Sequence, residues 1–97
     1  MVIRIVDLAP AAYTNDDGAT VHASIVAALA AHEKLVVSFA GVDAVTSSFV
    51  NSALLPLIET LGLEAFKQRV RIIDATKPTI DLIKHRIAFE ARRSAAA

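Results

Sequence analysis

The sequence predicts a small α/β domain with a three- to four-stranded, mostly parallel sheet and flanking helices. Three short β-branched segments alternate along the chain with three longer segments of helical periodicity. Each segment between two strands is long enough for a right-handed crossover, which makes neighbouring strands parallel. A hydrophobic fraction of 55% in 97 residues is enough for the core of one domain.

The predicted strands are residues 2–8, 35–40 and 70–75. Arg4 lies inside the first strand, which indicates an edge position or a solvated face. The second strand is an almost unbroken apolar run, which is typical of a strand covered on both faces. Residues 9–18 are rich in turn-forming residues and are expected to form a loop.

The predicted helices are residues 19–32, residues 48–61 and a third helix that has Pro78 in its first turn. Pro56 lies inside the second helix and has no N–H to donate, so we expect a kink or a break there. Gly62 is the expected C-cap of this helix. Residues 1–93 are assigned to a single domain, and residues 94–97 to a disordered tail.

Composition argues against several classes of function. Ten acidic residues balance ten basic ones, so the chain has no electrostatic footprint for nucleic acid. The absence of cysteine excludes disulfides and thiolate chemistry. The three histidines lack the spacing of metal ligands, and the three glycines are isolated. We therefore predict no enzyme, no metal site and no cofactor.

The start of the chain and its Ala-rich stretch indicate where in the cell the protein is expected. Charge interrupts the apolar residues at the amino terminus, which is typical of a strand and not of a signal peptide. The uncharged, Ala-rich residues 19–32 are too few to span a membrane. We expect a cytoplasmic protein of a bacterium or an archaeon, without a membrane partner.

The loop after the second strand carries the best candidates for function. Thr46, Ser47 and Ser48 stand where the second helix begins, beyond the carboxyl end of a buried strand. In open α/β sheets ligands bind at this edge, and helix N-terminal N–H groups stabilise phosphate. Ser47 and Ser48 are the candidate phosphorylation sites. Serine is also a favoured N-cap, so one of the two hydroxyls could instead serve only the helix.

The outer face of the second helix is a candidate partner surface. At 100° per residue, Ser48, Ser52, Leu55 and Glu59 lie opposite the core stripe, and Phe49 and Pro56 lie on one flank. Apolar residues beside a serine loop suggest a contact patch, unless another element of the chain covers them. The candidate partner-binding residues are Asp43, Thr46, Phe49, Ser52, Leu55 and Glu59.

Two other surfaces favour a homodimer. On the third helix, one stripe away from the core contains Leu82, Arg86, Phe89 and Arg93. The first helix has an uncharged face of alanines, and a narrow sheet has much edge to protect. A structural or homo-oligomeric module is therefore an alternative to a regulatory domain.

The loop and several neighbouring segments also carry a family resemblance. The segments concerned are Asp17-Gly18, Val36-Val37-Ser38-Phe39, Gly41-Val42, Val45-Thr46-Ser47-Ser48-Phe49 with Asn51, Leu61-Gly62, Phe66 and Arg69-Val70. With the order of the elements, they resemble the STAS domain of bacterial anti-sigma factor antagonists. The resemblance is closer to the STAS-like family of unknown function.

The resemblance implies a role for Ser47. In STAS antagonists this loop typically contains Asp-Ser-Ser-Gly, and a partner kinase of the GHKL ATPase type phosphorylates the first serine. That serine matches Ser47, whereas Thr46 stands in place of the Asp and Phe49 in place of the Gly.

The function that this resemblance implies is non-catalytic regulation. The domain would bind a protein partner, a GHKL-type ATPase or an anti-sigma factor, with Ser47 or Ser48 as the point of control. Besides the structural module, a sensor of a small anion or nucleotide remains an alternative, because the same loop could hold an anion.

Overall fold

Three parallel strands form one sheet in the order β1-β2-β3, as the alternation of segments predicts. The structure is a computed structural model that describes residues 1–9 and 13–96, with side chains up to residue 92. The elements are β1 (Val2–Arg4), α1 (Ile5–Leu8), α2 (Asn15–Ala31), β2 (Leu35–Ser38), α3 (Ser47–Ala53), α4 (Leu55–Leu61), α5 (Leu63–Arg69), β3 (Val70–Ile73) and α6 (Lys77–Ala96). The predicted α/β class and parallel pairing are confirmed.

The start of α2 corrects the sequence prediction. Residues 15–18 are helical, although their composition predicts a loop. The reason is a capping box, in which Thr14 Oγ1 accepts from the Asp17 N–H at 3.1 Å and the Asp17 carboxylate accepts from the Thr14 N–H at 3.2 Å. The acidic first turn also suits the positive end of the helix dipole. Part of the predicted loop, residues 10–12, lies outside the described residues.

The strand and helix boundaries differ from the prediction in two other places. Only residues 2–4 of the first predicted strand are extended, and residues 5–8 form one helical turn. Residues 63–69, which the sequence leaves as a connection, form α5. Gly62, at a φ of 86°, ends α4 as predicted and lets the chain bend by 113° into α5.

The break at Pro56 is confirmed. Helix α3 ends at Ala53, Leu54 interrupts the helix, and α4 begins with Pro56 in its first turn. Pro56 suits that first turn because its missing N–H has no helical partner there.

The two faces of the sheet differ sharply in burial. Strand residues alternate between faces, and the residues paired across strands share a face. On one face Ile3, Leu35, Val37 and Val70 are at most 8% exposed and belong to the hydrophobic core. The other face carries exposed Val2, Arg4 and Arg71, half-buried Val36 and Ile73, and buried Ser38. The expectation that both faces of β2 are covered holds in part, because on the second face Ser38 is buried and Val36 is half-buried. The edge position and the solvated face expected for Arg4 are confirmed.

Helices α2 and α3 pack closely because Gly18 has no side chain. A Cβ added to Gly18 would lie 2.6 Å from Ser52 Cβ and 2.7 Å from the Phe49 carbonyl oxygen. Beside this contact, Ser52 Oγ donates to Asn15 Oδ1 at 3.0 Å. The glycine that resembles a turn former in the sequence is thus a packing residue.

Arg69 ties the end of α5 to the end of α2. Its Nε donates to the Glu33 carbonyl at 2.9 Å, and its Nη2 donates to the carbonyls of Leu29 at 2.8 Å and His32 at 3.3 Å. These three carbonyls lie in the last turn of α2 or just after it, where no N–H of a following turn can bond to them. The positive guanidinium is also favourable at this end because the helix dipole is negative there.

Helix α6 begins as predicted. The Thr79 N–H donates to Thr76 Oγ1 at 3.4 Å, Pro78 lies in the first turn and Ile83 is buried. The helical backbone continues to Ala96. The tail predicted for residues 94–97 lies beyond the described side chains and stays a prediction.

The stripe expected to favour self-association is mostly engaged within the chain. Arg86 Nε donates to Asn51 Oδ1 at 3.0 Å, and its guanidinium carbon lies 5.1 Å from the centre of the Phe89 ring. Leu82 packs against the core, Phe89 is 43% exposed, and the Arg93 side chain is outside the described part.

No single helix in residues 1–9 and 13–96 is long and apolar enough to cross a membrane. The bent pair Ser47–Leu61 and Leu63–Arg69 meets that test by length and composition alone.

We predict that Gly18→Ala destabilises the domain by about 1–3 kcal/mol, because α3 must move to admit the methyl group. On an isolated helix the same change would stabilise by roughly 0.5–1 kcal/mol. Urea unfolding measures the difference. Thr20→Ala, at an exposed position of the same helix, is the control, and a Gly18→Ala domain as stable as the parent would contradict the packing argument.

Arg69→Met should lower the free energy of unfolding by about 1–3 kcal/mol, because carbonyls at the end of α2 lose their donors. Arg69→Lys should recover only part of this, since an ammonium group lacks the planar fork. The matched control is Arg71→Met, which removes an exposed guanidinium and should change stability by less than about 0.5 kcal/mol. Equal losses at both positions would rule out the proposed role of Arg69.

Asp17 should make stability depend on pH. Partial desolvation raises the pKa of its carboxyl, but the hydrogen bonds from the Thr14 and Tyr13 backbone and the Thr14 side chain outweigh it and lower the pKa. The stabilisation is therefore complete above the unfolded pKa of about 3.9 and is lost as the pH falls through the lower folded value. Thermal unfolding across this range should show a smaller acid-induced loss in Asp17→Asn than in the parent, and identical profiles would contradict the capping role.

Candidate functional site

The loop between β2 and α3 is anchored by two buried apolar side chains. Phe39 is 1% exposed, and its N–H donates to the Ile73 carbonyl at 3.0 Å. The Val42 N–H donates back to the Phe39 carbonyl at 2.9 Å across a turn in which Gly41 has a φ of 82°. Val42 is itself buried. The fixed turn presents the next residues, Asp43 and Ala44, to solvent.

Thr46 is the N-cap of α3. Its Oγ1 accepts from the Phe49 N–H at 3.2 Å and donates to the Tyr13 carbonyl at 2.6 Å. Tyr13 adjoins the capping box of α2, so one hydroxyl ties the starts of two helices together. Threonine and aspartate are both good N-cap acceptors. Thr46, which replaces the aspartate of the STAS antagonists, therefore retains a cap at this position.

Ser47 and Ser48 are the first two residues of α3, and both are exposed. Within the described part of the chain, no hydrogen bond engages either hydroxyl. The expectation that one of them caps the helix is wrong, because Thr46 holds that position. Both hydroxyls thus face solvent at the start of a helix.

Two residues predicted for the contact patch are buried. Phe49 is 0% exposed and Leu55 is 6% exposed. Helix α2 packs over α3 and covers Phe49, and α6 packs along α3 and α4, where its Arg86 lines the same cleft as Leu55. A projection at 100° per residue shows which residues share a face of one helix, but not which faces other elements cover. The expectation that these side chains are exposed is therefore wrong.

The other predicted contact residues do not form one cluster with the serines. Asp43 is exposed in the loop, and half-buried Ser52 is engaged with Asn15. Glu59, on α4, lines a shallow cleft of about 220 Å³ with Asn51 and Arg86. The surface next to Ser47 and Ser48 therefore consists of the loop itself, and a role for the remaining contact residues stays a prediction.

Sequence reasoning missed a polar pair at the carboxyl end of β2 and β3. Ser38 Oγ donates to Asp74 Oδ2 at 3.1 Å and accepts from the Ala40 N–H at 3.2 Å. Asp74 has a φ of 60°, which aspartate tolerates better than most residues. The Asp74 carboxylate thereby holds the end of the central strand. The polar residue at the end of an apolar strand was the available signal.

The described residues contain no group of three or more His, Cys, Asp or Glu side chains arranged to hold a metal ion. The Nδ1 atom of His22 is buried and makes no hydrogen bond in the described part. His22 lies in a cleft of about 450 Å³ between α2 and α4, which Val26 and Leu57 also line.

Comparison with known proteins agrees with this architecture. A family model described as a STAS-like domain of unknown function (DUF4325) matches residues 17–79, almost two thirds of the chain. The match begins in the capping box of α2, includes β2, the serine loop and β3, and ends in the first turn of α6. No curated protein and no solved structure gives a significant match. The chain belongs to the family of STAS-like domains of unknown function.

Proposed function

We propose that this domain is a non-catalytic regulatory module that binds a protein partner through the loop before α3. Phosphorylation of Ser47, or of Ser48 beside it, controls that binding. The partner that phosphorylates it is an ATPase-type kinase of the GHKL class, and the partner that it regulates is an anti-sigma factor or a protein of similar role. These partners follow from the resemblance to STAS antagonists.

The observation that carries the proposal is that Thr46 alone caps α3, which leaves the hydroxyls of Ser47 and Ser48 out of the capping. Thr46 caps the helix, so the two serine hydroxyls are exposed and make no hydrogen bond in the described part. A kinase can approach an exposed hydroxyl without unfolding the helix. Loss of either hydroxyl should cost the fold little, because neither takes part in capping.

The charges near the loop indicate how a phosphate would act. No Lys or Arg occurs in residues 35–66, whereas Asp16, Asp17 and Asp43 are acidic. A phosphoserine adds about −1.5 to −2 charge and orders a chain where an arginine can pair with it. The segments α2, the loop and α3 contain no Lys or Arg, and Arg86 of α6 is already bonded to Asn51. Lys77 of α6 adjoins Thr76, whose hydroxyl bonds to the Asp43 carbonyl at 3.5 Å. We expect the added charge to act chiefly on a docked partner. The expected consequence is release of an acidic or apolar partner surface.

The direct test is phosphorylation by a candidate GHKL-type kinase with ATP, followed by intact mass and peptide mapping. We expect one added phosphate in the parent chain, on Ser47, and none in Ser47→Ala. Ser48→Ala is the matched control, because it removes a neighbouring exposed hydroxyl of the same kind and should still accept phosphate. Phosphate on Ser48 alone would transfer the switch to that residue.

Binding of the regulated partner provides the second measurement. Ser47→Asp should weaken binding by about tenfold, or about 1.4 kcal/mol, and Ser47→Asn, which is uncharged and of similar size, should not. Thermal unfolding of both variants should match the parent and so separate binding from folding. Absence of phosphate in the parent together with full binding by Ser47→Asp would exclude the proposal.

A further inference from the structure

The side of the sheet away from the core helices has features of a second docking surface. We call it the open sheet face and define it by Val2, Arg4, Val36, Arg71 and Ile73. These residues share one side of the three strands, and the buried core lies on the other side. Val2 is 58% exposed, Val36 and Ile73 are half-buried, and Ser38 on the same side is buried. Parallel sheets are nearly always covered on both faces, so a face that the described residues leave partly open is unusual.

The open sheet face is also basic. Arg4 and Arg71 are exposed, and no hydrogen bond or ion pair in the described part of the chain holds either guanidinium. A cleft of about 560 Å³ at the amino ends of β2 and β3 is lined by residues of both sheet faces, among them Val36 and Arg71, and by Lys34 and Lys67. Both lysines are exposed. Two of the ten basic residues therefore lie on the open sheet face, and two more lie beside it at the edge of the sheet.

We propose that the open sheet face binds an acidic amphipathic helix of a protein partner. Val2, Val36 and Ile73 would receive its apolar stripe, and Arg4 and Arg71 would pair with flanking Asp or Glu side chains. This surface is separate from the serine loop and does not depend on the regulatory role proposed for Ser47.

The size of the face suits a single helix. Three strands about 4.8 Å apart give a width of about 10 Å between the outer strands. A helix with its side chains is about 10–12 Å across, so one helix laid on the sheet covers it. Helices are also the elements that cover parallel sheets in α/β domains.

Charge and composition favour this occupant over two others. In a two-fold dimer the same patch faces itself, which brings Arg4 and Arg71 near their own copies and is unfavourable. A membrane surface would attract the cations, but the exposed apolar residues of this face are short and aliphatic. Membrane-surface segments usually insert larger groups such as Trp, Phe or Leu.

The test is a selection from displayed helical peptides of about 18 residues, with a fixed leucine stripe and randomised flanking positions. The unmodified chain should enrich peptides with Asp or Glu flanks. Arg4→Glu/Arg71→Glu should weaken these peptides by about tenfold, and the same selection on this variant should enrich Lys or Arg flanks. Lys77→Glu/Lys84→Glu is the matched control, because it makes the same charge change at exposed positions of α6 and should leave binding unchanged.

Further variants locate the site and separate it from the serine loop. Val2→Asp should also weaken the selected peptides, whereas Ser47→Asp should not. Thermal unfolding of every variant checks that it is folded, and Arg4→Glu and Arg71→Glu tested singly replace the double variant if it is not. A phosphorylation test that fails while this selection succeeds would remove only the role of Ser47.

Several outcomes would overturn the proposal. These are a selection without binders, selected peptides without acidic flanks, or binding that survives charge reversal. Binding to vesicles of anionic phosphatidylglycerol that Arg4→Glu/Arg71→Glu abolishes would assign the face to a membrane instead. A dimer in light scattering that the same variant dissociates would assign it to a second copy of the chain.

Discussion

The close contact between the starts of α2 and α3 is the constraint on which the loop depends. Gly18 leaves no room for a side chain between the two helices, and Asn15 and Ser52 form a hydrogen bond beside it. Thr46 then joins the start of α3 to the Tyr13 carbonyl, just before the start of α2. The two helix starts therefore form one unit, and the serines project from it. A change that separates α2 from α3 would move the serines even if the loop sequence were intact.

This arrangement also explains how the loop can combine stability with exposure. A helix N-terminus needs a polar side chain to satisfy its first N–H groups. Here the Thr46 side chain accepts from the Phe49 N–H and also donates to the Tyr13 carbonyl, just before α2. The side chains of Ser47 and Ser48 are therefore not needed to cap the helix. In a loop where serine itself capped the helix, phosphorylation would replace the hydroxyl that accepts the capping hydrogen bond. The separation of the two roles is what makes a switch at Ser47 compatible with an unchanged fold.

Sequence reasoning succeeded where local chemistry decides the structure. A proline inside a helix and a glycine at its end have direct steric consequences, and both Pro56 and Gly62 act as expected. Sequence reasoning failed where the same residue types are common both in turns and at the start of a helix. The acidic turn formers at residues 15–18 are equally good residues for a helix start, and only the pairing of Thr14 with Asp17 decides between them.

Tertiary placement was the other source of error. Whether Phe49 and Leu55 are exposed depends on where α2 and α6 pack, which a helical projection does not contain. The apolar run of β2 likewise predicts that the strand is buried, but not which face of the sheet the helices cover. Its second face is only partly buried, because the helices gather on the other one. The polar partner of Ser38, 36 residues along the chain, has no local signal at all.

The distribution of charge links the two surfaces. The chain is neutral, but four of its cations lie on or beside the open sheet face, while residues 5–33 and 35–66 contain acidic residues and no Lys or Arg. The only charged residues in α2, the serine loop and α3 are therefore acidic, and the opposite side of the sheet is basic. A phosphate on Ser47 would increase this polarity without finding a cation in α2, α3 or the loop. We expect it to change binding at the serine loop, whereas the open sheet face lies on the other side of the sheet, and at about 0.1 M salt the dissolved ions screen charges beyond about 10 Å. If both proposed surfaces bind partners, their separation on opposite sides of the sheet would let one be switched by phosphate without a large effect on the other.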